Sequence, residues 1–182
     1  MLKYFDVAET LSEFPDEITL CINITQCPCK CENCSEPWLQ KDQGTELTKD
    51  KLVELIEKHP YCSCIGFMGG DINHEEIKEL ALFIKEKYHL KVGFYSGFEF
   101  INLDLVEALD YYKIGKWKTP KGDIKEWHKT TNGPLQFPWS NQLFFEIHNK
   151  KLINATEKFR RKFPNNLEHF VIEGEDENNC ES

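Results

Sequence analysis

Three times in the first 115 residues, an apolar run of strand length ends in an unusual loop and gives way to an apolar stripe at helical spacing. That alternation constrains the fold more than any other feature of the chain. Ile18, Leu20, Ile22 and Ile24 alternate with Thr19, Cys21, Asn23 and Thr25, which predicts a strand with one buried face. Thr48 offers an N-cap to a helix carrying Leu52, Val53, Leu55 and Ile56, and Pro60 ends it. Residues 64–68 are continuously apolar, as a buried parallel strand would be. Asn73 and Glu76 form a capping box ahead of the stripe Ile77, Leu80, Ala81 and Ile84. A third strand over 90–95, a short helix over 103–109 and a fourth strand over 111–114 complete the series. Strands joined by helices in this order lie parallel, with right-handed crossovers.

Each strand ends in the residues that stand out: a cysteine loop, Gly69-Gly70-Asp71, Tyr95-Ser96-Gly97, and Lys113 before Gly115. In parallel α/β folds the ligand site lies at those ends. Beyond Gly115 the pattern weakens into a long loop over 116–139, a strand over 142–147 and a short helix over 153–163. Residues 168–173 read as strand or extended tail. With 182 residues the chain is too short for a complete (β/α)8 barrel of about 250. One domain over 1–172 is expected, with the cysteine loop at 26–37 and an acidic, solvated tail at 173–182.

The formal charge is −9, from 22 basic and 31 acidic residues, which gives no basic surface for nucleic acid. No run reaches the roughly 18 apolar residues of a membrane span. The opening residues lack the basic-then-apolar layout of a secretion signal, so a cytoplasmic location is expected. Eight cysteines in such a chain then point to metal or redox chemistry rather than to a disulfide framework. Five fall between Cys21 and Cys34, and the loop reads Cys27-Pro28-Cys29-Lys30-Cys31-Glu32-Asn33-Cys34. Two ligand sets fit this spacing. Cys27, Cys31 and Cys34, as C-x3-C-x2-C, would hold three irons of a cubane and leave the fourth open. Cys29, Cys31 and Cys34 with Cys62 or Cys64 would make a four-thiolate zinc site, as in a zinc-stabilised interaction module. Taken singly, Gly69-Gly70 reads as a turn, Tyr95 as core and Lys113 as a surface lysine. Cys62 and Cys64 read as small hydrophobes. The six histidines show no ligand spacing.

C-x3-C-x2-C after a first strand, Gly69-Gly70-Asp71 after the second and Tyr95-Ser96-Gly97 after the third resemble the signature of radical S-adenosylmethionine (SAM) enzymes. Met1-Leu2-Lys3-Tyr4, the stretch from Pro15 to Leu20, Gly133-Pro134-Leu135 and Ser140-Asn141-Gln142 resemble one subfamily of these. Those are the activating proteins of anaerobic ribonucleoside-triphosphate reductase, and the match covers roughly residues 1–147. The resemblance implies a partial parallel β/α barrel and a [4Fe-4S] cluster on Cys27, Cys31 and Cys34, with SAM chelating the open iron. It places Gly69, Gly70 and Asp71 at the methionine part, and Tyr95, Ser96 and Gly97 near the ribose or sulfonium. Lys113 would lie within reach of the SAM carboxylate. Asn33 stands at the adenine-side position where the superfamily often has an aromatic, and Asp71 replaces a Glu. The implied activity is reductive cleavage of SAM, giving a 5′-deoxyadenosyl radical that removes a hydrogen atom from a glycine Cα of the reductase. The implied partners are that reductase and a one-electron donor such as flavodoxin or ferredoxin, with a homodimer allowed. A related enzyme acting on a small molecule, similar to 7-carboxy-7-deazaguanine synthase, is the alternative within the superfamily.

Overall fold

In a computed structural model, the structure describes residues 1–32, 34–117 and 142–159. Among these, the chain is a mixed α/β protein with two α-helices and one eight-stranded sheet. The strands are β1 (Lys3–Thr10), β2 (Thr19–Ile24), β3 (Thr45–Glu46), β4 (Cys64–Met68), β5 (Lys91–Tyr95), β6 (Tyr111–Ile114), β7 (Leu143–His148) and β8 (Lys151–Asn154). The helices are α1 (Lys49–Lys58) and α2 (His74–Tyr88). The sheet order is β3-β1-β2-β4-β5-β6-β7-β8. The inner four, β2, β4, β5 and β6, are parallel, as the alternation predicts. Antiparallel strands extend this core on both sides.

The caps act where the sequence puts them. The Thr48 side chain accepts from the Lys51 amide, and the Asn73 side chain accepts from the Glu76 amide. The Glu76 carboxylate turns instead to the Leu2 amide at 2.9 Å and the Asn73 side chain at 3.1 Å, tying the start of the chain to α2. Both helices pack on one face of the sheet. There Leu52, Leu55, Ile77, Leu80 and Ile84 bury Leu20, Ile22, Ile65, Phe67, Val92 and Phe94.

The other face is built in layers, because register places residues of neighbouring strands side by side. Asn23, Met68, Tyr95 and Lys113 form one row. The row beneath is Cys21, Gly66, Gly93 and Tyr111. The two glycines leave a notch that the Phe14 ring fills, for a Cβ at Gly93 would lie 2.2 Å from it and one at Gly66 2.7 Å. Phe14 is fully buried and packs on Tyr95, Tyr111 and Phe144 with ring centroids 5.1, 5.2 and 6.1 Å away. β2 is therefore buried on both faces, not one.

Two expectations about the elements change. The third crossover carries only a 3-10 turn, Leu103–Leu105, capped by Asn102, in place of a short helix over 103–109. Residues 151–154, expected to run into a helix from 153, instead form β8, followed by a 3-10 turn at Thr156–Phe159. Asn149 and Lys150 both have positive φ, +51° and +62°, and close a two-residue hairpin that fixes β8 to β7. β1 had no sequence expectation at all. The expected loop beyond residue 117, the motifs at 133–135 and 140–141, the rest of the helix at 160–163 and the segments 168–173 and 173–182 lie outside the described residues. Among the described residues, no helix is long and apolar enough to cross a membrane.

Candidate iron–sulfur site

Beyond Ile24 the chain leaves the sheet at the carboxyl ends of the parallel strands and curls back. Gln26 and Lys30 take left-handed conformations, with φ +62° and +44°. The Gln26 amide donates to the Lys41 carbonyl and the Cys27 amide to the Leu39 carbonyl, at 3.1 and 3.0 Å. The loop is thus a closed excursion over the sheet. Cys27, Cys31 and Cys34 are all partly exposed and all line one cavity of about 330 Å³. The row Asn23, Met68, Tyr95 and Lys113 lines the same cavity. Gly69, Asp71, Ser96, Gly97 and Trp117 contribute from the strand ends.

The structure brings together most of the residues the sequence singles out. Cys27, Cys31, Cys34, Gly69, Asp71, Tyr95, Ser96, Gly97 and Lys113 share the cavity. Gly70 faces elsewhere, since a Cβ there would lie 2.7 Å from Ile77 Cδ1 in the core. Gly69, with φ +82°, has open space, its nearest would-be contact being the Ile24 carbonyl at 3.5 Å. Asn33 lies outside the described residues.

Tyr95 donates its hydroxyl to the Glu13 carbonyl at 2.5 Å, and burial raises its pKa. Lys113 lies over the Tyr95 ring, Nζ 4.0 Å from the centroid. Burial lowers the Lys113 pKa to about 8, with Glu13 opposing the shift. Burial also raises the Cys27 thiol, so cysteine ligation here depends on the metal displacing a proton.

Asp71 and Cys29 meet within a shared hydrogen-bond cluster. The Asp71 side chain is wholly inaccessible. Its Oδ1 accepts from Ser96 Oγ at 2.5 Å and His74 Nε2 at 3.1 Å. Its Oδ2 accepts from the Gly97 amide at 2.7 Å and Cys29 Sγ at 3.6 Å. Cys29 is buried, and burial followed by the Asp71 charge pushes its thiol up, keeping the proton it donates. Gly97 is required by this contact, because a Cβ there would lie 2.4 Å from Cys29 Sγ. His74 carries no spacing or motif that would single it out among the six histidines. The floor residues Asn23 and Met68 could have been found by aligning the strand ends at period two.

The positions of the thiols bear on the zinc set. Cys64 pairs with Thr19 at the amino end of the parallel strands, about five residues below the loop, or roughly 15 Å. Cys62 lies just before it, so neither reaches Cys29, Cys31 or Cys34, and that zinc set is excluded. Among the described residues, no three His, Cys, Asp or Glu side chains converge on a single metal position. A cubane with one open iron asks for something else: three thiolates, each on its own iron, spread around the cluster. Three free, partly exposed thiols around one cavity fit that demand. A family model described as the 4Fe-4S single cluster domain matches residues 18–135, more than half of the chain. No curated protein matches, and no solved structure matches.

Proposed function

The chain belongs to the 4Fe-4S single cluster domain family, and on that premise we propose that it is a radical SAM activase for a glycyl-radical enzyme, anaerobic ribonucleoside-triphosphate reductase. The observation that carries this reading is convergence. The C-x3-C-x2-C loop and the ends of three further parallel strands line one cavity, opposite the helices. In this reading Cys27, Cys31 and Cys34 hold the cluster. When bound, the cluster would supply the single electron for reductive cleavage of SAM, the chemistry from which hydrogen-atom removal at a glycine Cα would follow. The protein's own residues bind, orient and exclude water. Gly69 lets backbone approach the cofactor without a side chain between. Lys113 supplies positive charge suited to a carboxylate, and the Tyr95 ring, held by Glu13 and covered by Lys113, gives a rigid wall.

The test is to mix reduced, SAM-loaded protein with the anaerobic reductase and record electron paramagnetic resonance. A glycyl doublet that outlasts removal of the activase, with deuterium passing from a Cα-labelled glycine into 5′-deoxyadenosine, supports the reading. SAM cleavage stimulated by a small molecule, with no doublet, would replace it with the small-molecule alternative.

A further inference from the structure

An ionised carboxylate offers about four lone-pair sites. Those of Asp71 are all taken by this chain: Ser96 and His74 on Oδ1, Gly97 and Cys29 on Oδ2. Nothing is left for an ammonium group. The imidazole beside it is fixed just as completely. Asn102 Oδ1 accepts from the Asp104 amide at 3.0 Å, so its Nδ2 faces His74 Nδ1 at 2.9 Å and donates. His74 Nδ1 is therefore an acceptor, and the ring hydrogen sits on Nε2, which donates to Asp71. The Phe94 and Phe98 rings meet the imidazole edge-on, both with centroids 5.6 Å away. One buried carboxylate thus joins the cysteine loop, the β4–α2 turn, the first turn of α2 and the end of β5. Through His74 it also holds the segment leading to β6.

We propose that Asp71 is a positioning residue and not a cofactor ligand: held by His74 and Asn102, it latches the cluster-bearing loop to the sheet through the thiol of Cys29. Cys29 is then the latch of the loop and not a fourth or substitute iron ligand. This rests on Cys27, Cys31 and Cys34 being the cluster ligands, but not on SAM being the substrate. A latch of this kind sets where the three thiolates stand above the row Asn23, Met68, Tyr95 and Lys113.

The first readout needs no cluster. In the reduced, iron-free chain, Cys29 alkylation by N-ethylmaleimide is followed by peptide mass spectrometry, with Cys64, fully buried at the far end of the sheet, as the internal control. Asp71→Asn should speed Cys29 labelling about ten- to hundredfold, as expected for losing a hydrogen bond to a charged acceptor, with Cys64 still protected. The second readout is the reconstituted protein. Cys29→Ala and Cys29→Ser should both keep the wild-type iron content. The reduced-cluster paramagnetic resonance signal should be displaced in the Ala variant and restored in the Ser variant, which can still donate. Loss of iron in Cys29→Ala would overturn the proposal by making Cys29 a ligand. Unchanged Cys29 labelling in Asp71→Asn, with SAM affinity by calorimetry down tenfold or more, would overturn it by making Asp71 a cofactor ligand. If the wild type binds no SAM at all, the activase reading fails while the labelling result still judges the latch.

Discussion

In a cluster with one open iron, each of the other three irons takes its own cysteine, so each of the three ligands is needed. Replacing Cys27, Cys31 or Cys34 by Ala should each abolish the iron and the brown absorption of anaerobically reconstituted protein. Cys62→Ala and Cys64→Ala should keep both, because those thiols sit at the other end of the strands. Iron content per chain and the visible spectrum check this. The Gly pair divides in the same residue-by-residue way. Gly70 and Gly69 both have positive φ, +119° and +82°, but only Gly70 abuts the core, at Ile77. Gly69→Ala should cost about 1–2 kcal/mol for its backbone conformation alone. Gly70→Ala should cost about 1–3 kcal/mol more from overpacking. Urea midpoints of the two variants give the comparison, and equal losses would remove the assigned difference. At Gly70 a side chain would meet the core at Ile77, and at Gly69 it would meet open space.

At the scale of elements, the segment between β1 and β2 does what a helix does on the opposite face: it covers the sheet. Phe14 fills the notch over Gly66 and Gly93, and Tyr95 anchors to the Glu13 carbonyl. Phe14→Ala should cost about 3–5 kcal/mol. Gly93→Ala should cost about 1–3 kcal/mol by overpacking. The double variant should fall short of the sum by at least 0.5 kcal/mol, since removing the ring removes the clash. Denaturant titration of the four proteins measures that coupling. At the end of the same segment, Glu17 is buried against Lys91, Tyr111 Oη at 2.9 Å and Ser63 Oγ at 2.5 Å. Burial opposes its charge, yet the Lys91, Ser63 and Tyr111 hydrogen bonds prevail and hold its pKa below the ordinary carboxylate value. A lowered folded-state pKa means stability that is present above the unfolded value, about 4.3. It is lost as the pH falls from there through the folded value. Glu17→Gln should flatten the stability slope below about pH 4.3, measured as urea midpoint against pH. An unchanged slope would assign acid sensitivity to other carboxylates.

Across the whole molecule, the cysteine loop is closed on itself by the Gln26–Lys41 and Cys27–Leu39 hydrogen bonds and meets the strand ends through the Cys29–Asp71 contact. A cluster held by Cys27, Cys31 and Cys34 would bind the folded chain and not the unfolded one. By linkage it raises stability. Removing iron with an anaerobic chelator and oxidant should therefore lower the melting temperature, and reconstitution should restore it. A melting temperature indifferent to iron would mean that the cluster sits on a loop uncoupled from the fold.

The residues themselves determined what depends on short-range periodicity. The parallel strands, both long helices and their Thr48 and Asn73 caps, and the cysteine loop at a strand end all follow from period and capping within a few residues. Tertiary structure decided whatever depends on residues far apart in the chain. The notch for Phe14 exists only because Gly66 and Gly93 fall opposite each other in register. β8 forms only because a hairpin turn without glycine carries its positive φ on Asn149 and Lys150. Asp71 looks like a cofactor carboxylate until Cys29, Ser96 and Gly97 are brought onto it from 25 to 42 residues away. A hydrogen bond needs its partner in place, and only the folded sheet puts it there.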